Sequence, residues 1–163
     1  MLYNCLLYGT SKRVFYVILD LKSIFNIEGK SINVNAEIMP AIDEIGDITI
    51  NGTIKNDYGR VYFTAEIAFI YRGLCDRCCA EINRKREFEI DYKLVRKLSE
   101  NDDSNEIELE TYEFNVDEFI ASEILINLEY KQLCNENCRG ICTECGINLN
   151  ENECKCKVTE VEE

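Results

Sequence analysis

At 163 residues, with 46% hydrophobic and 30% charged side chains, the chain has the size and composition of one soluble globular domain, or of one domain plus a small appendage, with a core of its own. A formal charge of −13 excludes general, sequence-independent attraction to nucleic acid, because phosphate is repelled by an acidic field. The absence of histidine removes the commonest general base.

The N-terminus has no basic segment leading into an apolar run and no small-residue cleavage site, so it does not read as an export signal. No apolar stretch approaches the ~20 residues of a membrane span. The expected compartment is therefore the cytoplasm, where the ten cysteines stay reduced and their clustering points to metal rather than to disulfides.

In chain order, residues 1–13 form a tail without clear pattern, and residues 14–130 a β-rich body. Residues 14–21 are β-branched and aromatic, as in a strand. Residues 31–39 alternate apolar and polar through Ile32, Val34, Ala36 and Ile38, up to the lone proline, Pro40. Residues 47–55 repeat the alternation, with Gly52 breaking the phase as a β-bulge would. Turn formers at 56–59 join this run to residues 60–71, where Val61, Phe63, Ala65, Ile67 and Phe69 share a face. After a loop holding Cys75, Cys78 and Cys79, residues 81–95 alternate again, so the cysteine pair sits at the tip of two long antiparallel strands.

Residues 99–110 carry six acids and no base and read as a solvated loop. A short strand at 111–114 precedes Asn115, a credible helix cap, and a helix over about 116–128. Its stripe of Val116, Phe119, Ile120, Ile124, Leu125 and Leu128 should face the core. Residues 131–158 form a cysteine-rich module and 159–163 an acidic tail. The fold class is α+β: an antiparallel β-meander or partly closed barrel, one packed helix in the C-terminal half, and a small cysteine-rich zinc-knuckle tail.

Six cysteines lie between positions 134 and 156. Thiolates are soft anionic ligands, and four of them close a tetrahedral Zn²⁺ site. Cys142 and Cys145, spaced by two residues and followed by Gly146, are the first candidates. Cys138 and Cys156 come next, then Cys134 and Cys154. The spacings match no ferredoxin-type iron–sulfur run. Cys75 and Cys78 either complete a zinc site with this module or order their turn as buried thiols. A redox role would require them at a strand-to-helix junction, and they join two strands. No phosphate loop, serine elbow or paired-carboxylate motif suggests an enzyme.

Residues 72–97 carry a net charge of +3 against the acidic remainder. Arg77, Arg84, Lys85 and Arg86 are the candidates for contact with RNA or a partner protein; the alternative for the last three is a solvated strand face.

The phrase Leu74-Cys75-Asp76-Arg77-Cys78, the helix Val116-Asp117-Glu118-Phe119 with Glu123-Ile124, and the tail from Leu133-Cys134 through Cys138-Arg139-Gly140-Ile141-Cys142-Thr143-Glu144-Cys145-Gly146 to Cys154-Lys155-Cys156 resemble the YceD family of large ribosomal RNA subunit accumulation proteins. The resemblance is to bacterial members with a cysteine-rich C-terminal tail and covers about residues 14–156. The chain departs from the family in Leu128-Glu129, where a Leu-Pro pair is usual, and in Cys79, often an aliphatic position. The resemblance implies a non-enzymatic role in ribosome biogenesis, with large-subunit ribosomal RNA or a basic ribosomal protein as partner and neither membrane nor small-molecule substrate. The competing reading is a zinc-stabilised interaction module unconnected with ribosomes.

Overall fold

The computed structural model describes residues 17–38, 42–98 and 105–156. In chain order its elements are β1 (Ile18–Asp20), α1 (Lys22–Asn26), β2 (Ser31–Ile38), β3 (Ile45–Asp57), β4 (Arg60–Leu74), β5 (Glu81–Val95), β6 (Glu106–Glu108), β7 (Glu113–Asn115) and α2 (Val116–Asn127). The architecture is α+β. Strands β2 to β5 form an antiparallel meander, β6 adds to β5 in parallel, and β1 pairs with β7 in a separate two-stranded ribbon. The main sheet is open, not a closed barrel.

Period-two alternation decides which face is buried. On β3, Ile48, Ile50 and Ile54 point inward; on β4, Val61, Phe63, Ala65, Ile67, Phe69 and Tyr71 do so. The outward residues of the same strands are mostly polar. The β3–β4 connection is a two-residue turn, with Tyr58 at φ 50° and Gly59 at φ 79°.

Helix α2 covers the inward face. Phe119 packs against Phe63, Tyr92 and Phe114, with ring centroids 6.0, 5.3 and 5.5 Å away. The Tyr92 hydroxyl donates to the buried Glu123 carboxylate at 3.0 Å. Asn115 caps the helix: its Oδ1 accepts from the Glu118 amide at 3.3 Å. Burial of each large apolar side chain contributes roughly 1.5–3 kcal/mol. Phe63, Ile48, Ile50, Ile54, Ile67, Leu94, Ile120 and Ile124 are all essentially inaccessible, in a core cluster that also takes in Cys75, Cys78 and Cys138.

Several expectations change. Gly52 is not a bulge: pairing runs without a break through Val34, Gly52 and Ala65, and the register shift lies between Ile45 and Ile48. Gly52 is required because a Cβ there would meet the Ala65 Cβ at 2.5 Å. Leu125 leaves the helix stripe and is 57% exposed. Within the expected acidic loop, residues 99–104 lie outside the described residues. Glu106–Glu108 instead form β6, because the free edge of β5 offers backbone partners: Lys93 N–H donates to the Asn105 carbonyl, and Leu109 N–H to the Val95 carbonyl, both at 2.8 Å. Of the expected strand 14–21, residues 14–16 lie outside the described residues, and Ile18–Asp20 pair with β7 instead of the meander. Helix α1 was not anticipated. The buried Asn56 holds it, donating to the Ile24 carbonyl at 2.8 Å while its Oδ1 accepts from Gly59 N–H at 2.9 Å.

Candidate metal centres

The loop at residues 75–80 folds back on itself. Cys75 N–H donates to the Ala80 carbonyl at 2.8 Å, and Cys79 N–H to the Cys75 carbonyl at 2.9 Å. Both sulfurs of the Cys-x2-Cys pair thereby turn to one side. Residues 142–147 repeat the arrangement: Cys142 N–H donates to the Ile147 carbonyl and Gly146 N–H to the Cys142 carbonyl, each at 2.9 Å. The residue after the second cysteine has positive φ in both turns, 57° at Cys79 and 72° at Gly146. Glycine takes that conformation without cost, whereas at the tip of β4 and β5 a cysteine is held in it.

The sulfurs gather in two groups of four: Cys75, Cys78, Cys134 and Cys138, and Cys142, Cys145, Cys154 and Cys156. Within each group all four lie within 4.8 Å of one another. The closest approaches are 3.7 Å for Cys75–Cys138, 3.6 Å for Cys78–Cys134, 3.6 Å for Cys145–Cys154 and 3.3 Å for Cys142–Cys154. Sulfurs bonded to each other stand ~2.05 Å apart. Four sulfurs ~2.3 Å from one tetrahedral ion stand about 3.8 Å apart. Among the described residues every cysteine is free. Both clusters can therefore hold a metal ion.

This grouping differs from the order of preference drawn from spacing. Cys138 does not join Cys142, Cys145 and Cys156; it completes the cluster of Cys75, Cys78 and Cys134. Cys154 takes its place in the other. The body thus supplies half the ligands of one centre.

Four thiols this close together cannot all ionise without a cation among them. Burial opposes ionisation of Cys75, but the backbone N–H groups of Cys134, Arg77 and Cys78 outweigh it and bring the thiol down to about 6. For Cys78 the Ala80 N–H works the other way, yet burial and the neighbouring thiols of Cys138, Cys75 and Cys134 push it up to about 12. In the second cluster the N–H groups of Cys145 and Glu144 hold Cys142 at about 7, while the thiols of Cys154 and Cys145 push Cys156 to about 12.

The basic candidates are divided by the strand pleat. Arg84 and Arg86 point to the face where the tail lies; Lys85 points to the other. Arg84 Nη2 donates to the Cys134 carbonyl at 2.8 Å, and Arg86 makes two bonds of 3.2 Å to the Glu129 carboxylate. Arg77 Nη1 donates to the Cys138 carbonyl at 2.9 Å. Lys85 pairs with Glu87 at 2.9 Å on an exposed surface. All three arginines are thus bonded to the segment that follows α2, a role that their sequence positions did not suggest.

The outward face of the sheet forms an open trough of about 860 Å³, lined by Asn33, Asn35, Asn51, Glu66, Glu89 and Asp91 among others. Glu66 and Glu89 stand opposite each other on β4 and β5.

A family model described as "Large ribosomal RNA subunit accumulation protein YceD" matches residues 63–163. That span takes in most of β4, all of β5 and both cysteine clusters. Comparison with curated proteins and with solved structures gave no match.

Proposed function

The chain belongs to the YceD family, and on that premise we propose that it is a non-enzymatic ribosome-biogenesis factor that supports accumulation of large-subunit ribosomal RNA. It acts by binding an RNA precursor or a ribosomal protein, in the cytoplasm and without a small-molecule substrate. The family match is the observation that carries this reading. Its span coincides with the hairpin and tail that the first cysteine cluster joins.

The charge distribution favours a basic ribosomal protein over bare RNA. Arg77, Arg84 and Arg86 are bonded to the chain's own tail, while the trough presents Glu66, Glu89 and Asp91. An acidic surface steers a basic partner into encounter and repels phosphate.

The ion assigned to the clusters is Zn²⁺. All-thiolate sets without imidazole or carboxylate suit zinc among the common biological divalent ions. With four protein ligands no coordination position is left for substrate or water, so the role is structural. Among the described residues no helix is long and apolar enough to cross a membrane.

Affinity capture of the full chain from its own cells, with and without nuclease, tests the reading. Expected is enrichment of large-subunit ribosomal proteins that survives nuclease. Enrichment of ribosomal components that nuclease abolishes would favour direct RNA binding. An eluate without any ribosomal component would favour a zinc-stabilised interaction module unconnected with ribosomes.

A further inference from the structure

We propose that the cysteines build two metal centres of unequal role: an inner one that fastens the C-terminal segment to the β4–β5 tip, and an outer one that belongs to that segment alone. This rests on the thiolate–zinc reading above and adds to it the number of ions, their partition and what each holds.

The partition follows from where the ligands sit along the chain. In the inner centre, Cys75 meets Cys138 across 63 residues and Cys78 meets Cys134 across 56. In the outer centre, Cys145 and Cys154 are separated by 9 residues, and Cys142 and Cys154 by 12. A cross-link stabilises more when it closes a longer loop. The inner ion thus joins two distant parts of the fold, and the outer ion only shapes a local knuckle.

The contacts around the inner centre agree. The tip and the tail exchange backbone-directed bonds: Asp76 N–H donates to the Gln132 carbonyl at 2.9 Å, and Gln132 N–H to Asp76 Oδ2 at 2.6 Å. Arg77 and Arg84 reach the carbonyls of Cys138 and Cys134, two of the ligands themselves. Gly140, at φ 74°, lets the tail pass so close that a Cβ there would stand 3.1 Å from the Arg77 carbonyl oxygen. These bonds orient the tail, and a cation among the sulfurs would let all four ionise without mutual repulsion.

Burial separates the centres further. Cys75, Cys138 and Cys78 are 1%, 3% and 7% exposed, and Cys134 is half-buried. Cys145 is exposed, and Cys142, Cys154 and Cys156 are half-buried. A chelator in solvent therefore reaches the outer ion first. The side-chain link between the centres runs through Asn150, whose Nδ2 lies 3.3 Å from Cys138 Sγ and whose Oδ1 accepts from Arg139 N–H at 2.7 Å. The outer knuckle thus rests on the inner centre without sharing a ligand with it.

The test uses the full chain reconstituted with Zn²⁺. Elemental analysis should give about two ions per chain for the unaltered protein, and about one each for Cys75→Ser/Cys78→Ser and for Cys142→Ser/Cys145→Ser. Competition with a coloured chelator should release zinc from the unaltered protein in two phases of equal size, a measurement that needs no variant to fold. Hydrogen exchange at the Asp76 amide should accelerate at least ~10-fold after loss of the inner centre and stay unchanged after loss of the outer one. One ion in the unaltered protein, single-phase release, or loss of both ions from Cys142→Ser/Cys145→Ser would overturn the partition. No zinc in the folded, reduced protein would overturn the zinc reading itself, and the partition with it.

Discussion

Cys79 and Gly146 hold the same place in two matching turns, both at positive φ. A side chain with a Cβ costs roughly 1–2 kcal/mol there. Cys79→Gly should therefore raise stability by about 1 kcal/mol and leave the zinc content unchanged. Cys79→Val should lower stability, and urea midpoints measure both. Gly52 is the opposite case, fixed by space and not by φ. Any side chain larger than hydrogen meets Ala65 Cβ at 2.5 Å and the Thr64 carbonyl oxygen at 2.6 Å. Gly52→Val should cost at least ~1–3 kcal/mol by overpacking, seen as a lower thermal midpoint. A glycine inside a strand is ambiguous in sequence, because a bulge and a close approach both call for it. Only the identity of the cross-strand neighbour distinguishes them. The cysteines were legible in a similar, partial way. Their number and their Cys-x2-Cys spacing point to metal, and the upstream pair added to the six makes two sets of four. Cys138, however, lies four residues from both Cys134 and Cys142, so spacing alone cannot assign it.

Long elements announce themselves through many periods of their pattern. Strands β2 to β5 each repeat the alternation over eight or more residues. Helix α2 pairs a readable cap with a readable stripe. Asn115→Ala should remove the bond to the Glu118 amide and cost about 1 kcal/mol, measurable by denaturant titration. Short elements carry too few periods to show. The five residues of α1 depend on Asn56, which is 32 residues from the carbonyl it binds, and the three of β6 depend on an edge that only the folded sheet provides. The basic cluster at the start of β5 shows how alternation can be overlooked. Neighbours on a strand point to opposite faces, so Arg84 and Arg86 could not share a surface with Lys85. Arg84→Ala removes a charge-assisted bond to the Cys134 carbonyl. It should speed proteolysis of the tail while leaving the sheet's circular dichroism intact.

For the whole molecule, the division is between a sheet-and-helix body and a tail whose Cys134 and Cys138 meet the β4–β5 tip. Chelation should free the tail to proteases and keep the body's β signal, because the buried Phe63, Ile67 and Ile120 lie on the sheet and on α2, not on the tail. Acid should do the same: thiolates must be deprotonated to bind metal, so affinity falls as pH falls. This tail lies within the matched family span. The most direct measurement is the ratio of large- to small-subunit ribosomal RNA in cells depleted of the chain, then supplied with the unaltered protein or with Cys75→Ser/Cys78→Ser. The ratio should fall on depletion, recover with the unaltered protein and stay low with the variant. A ratio that depletion leaves unchanged would contradict the account.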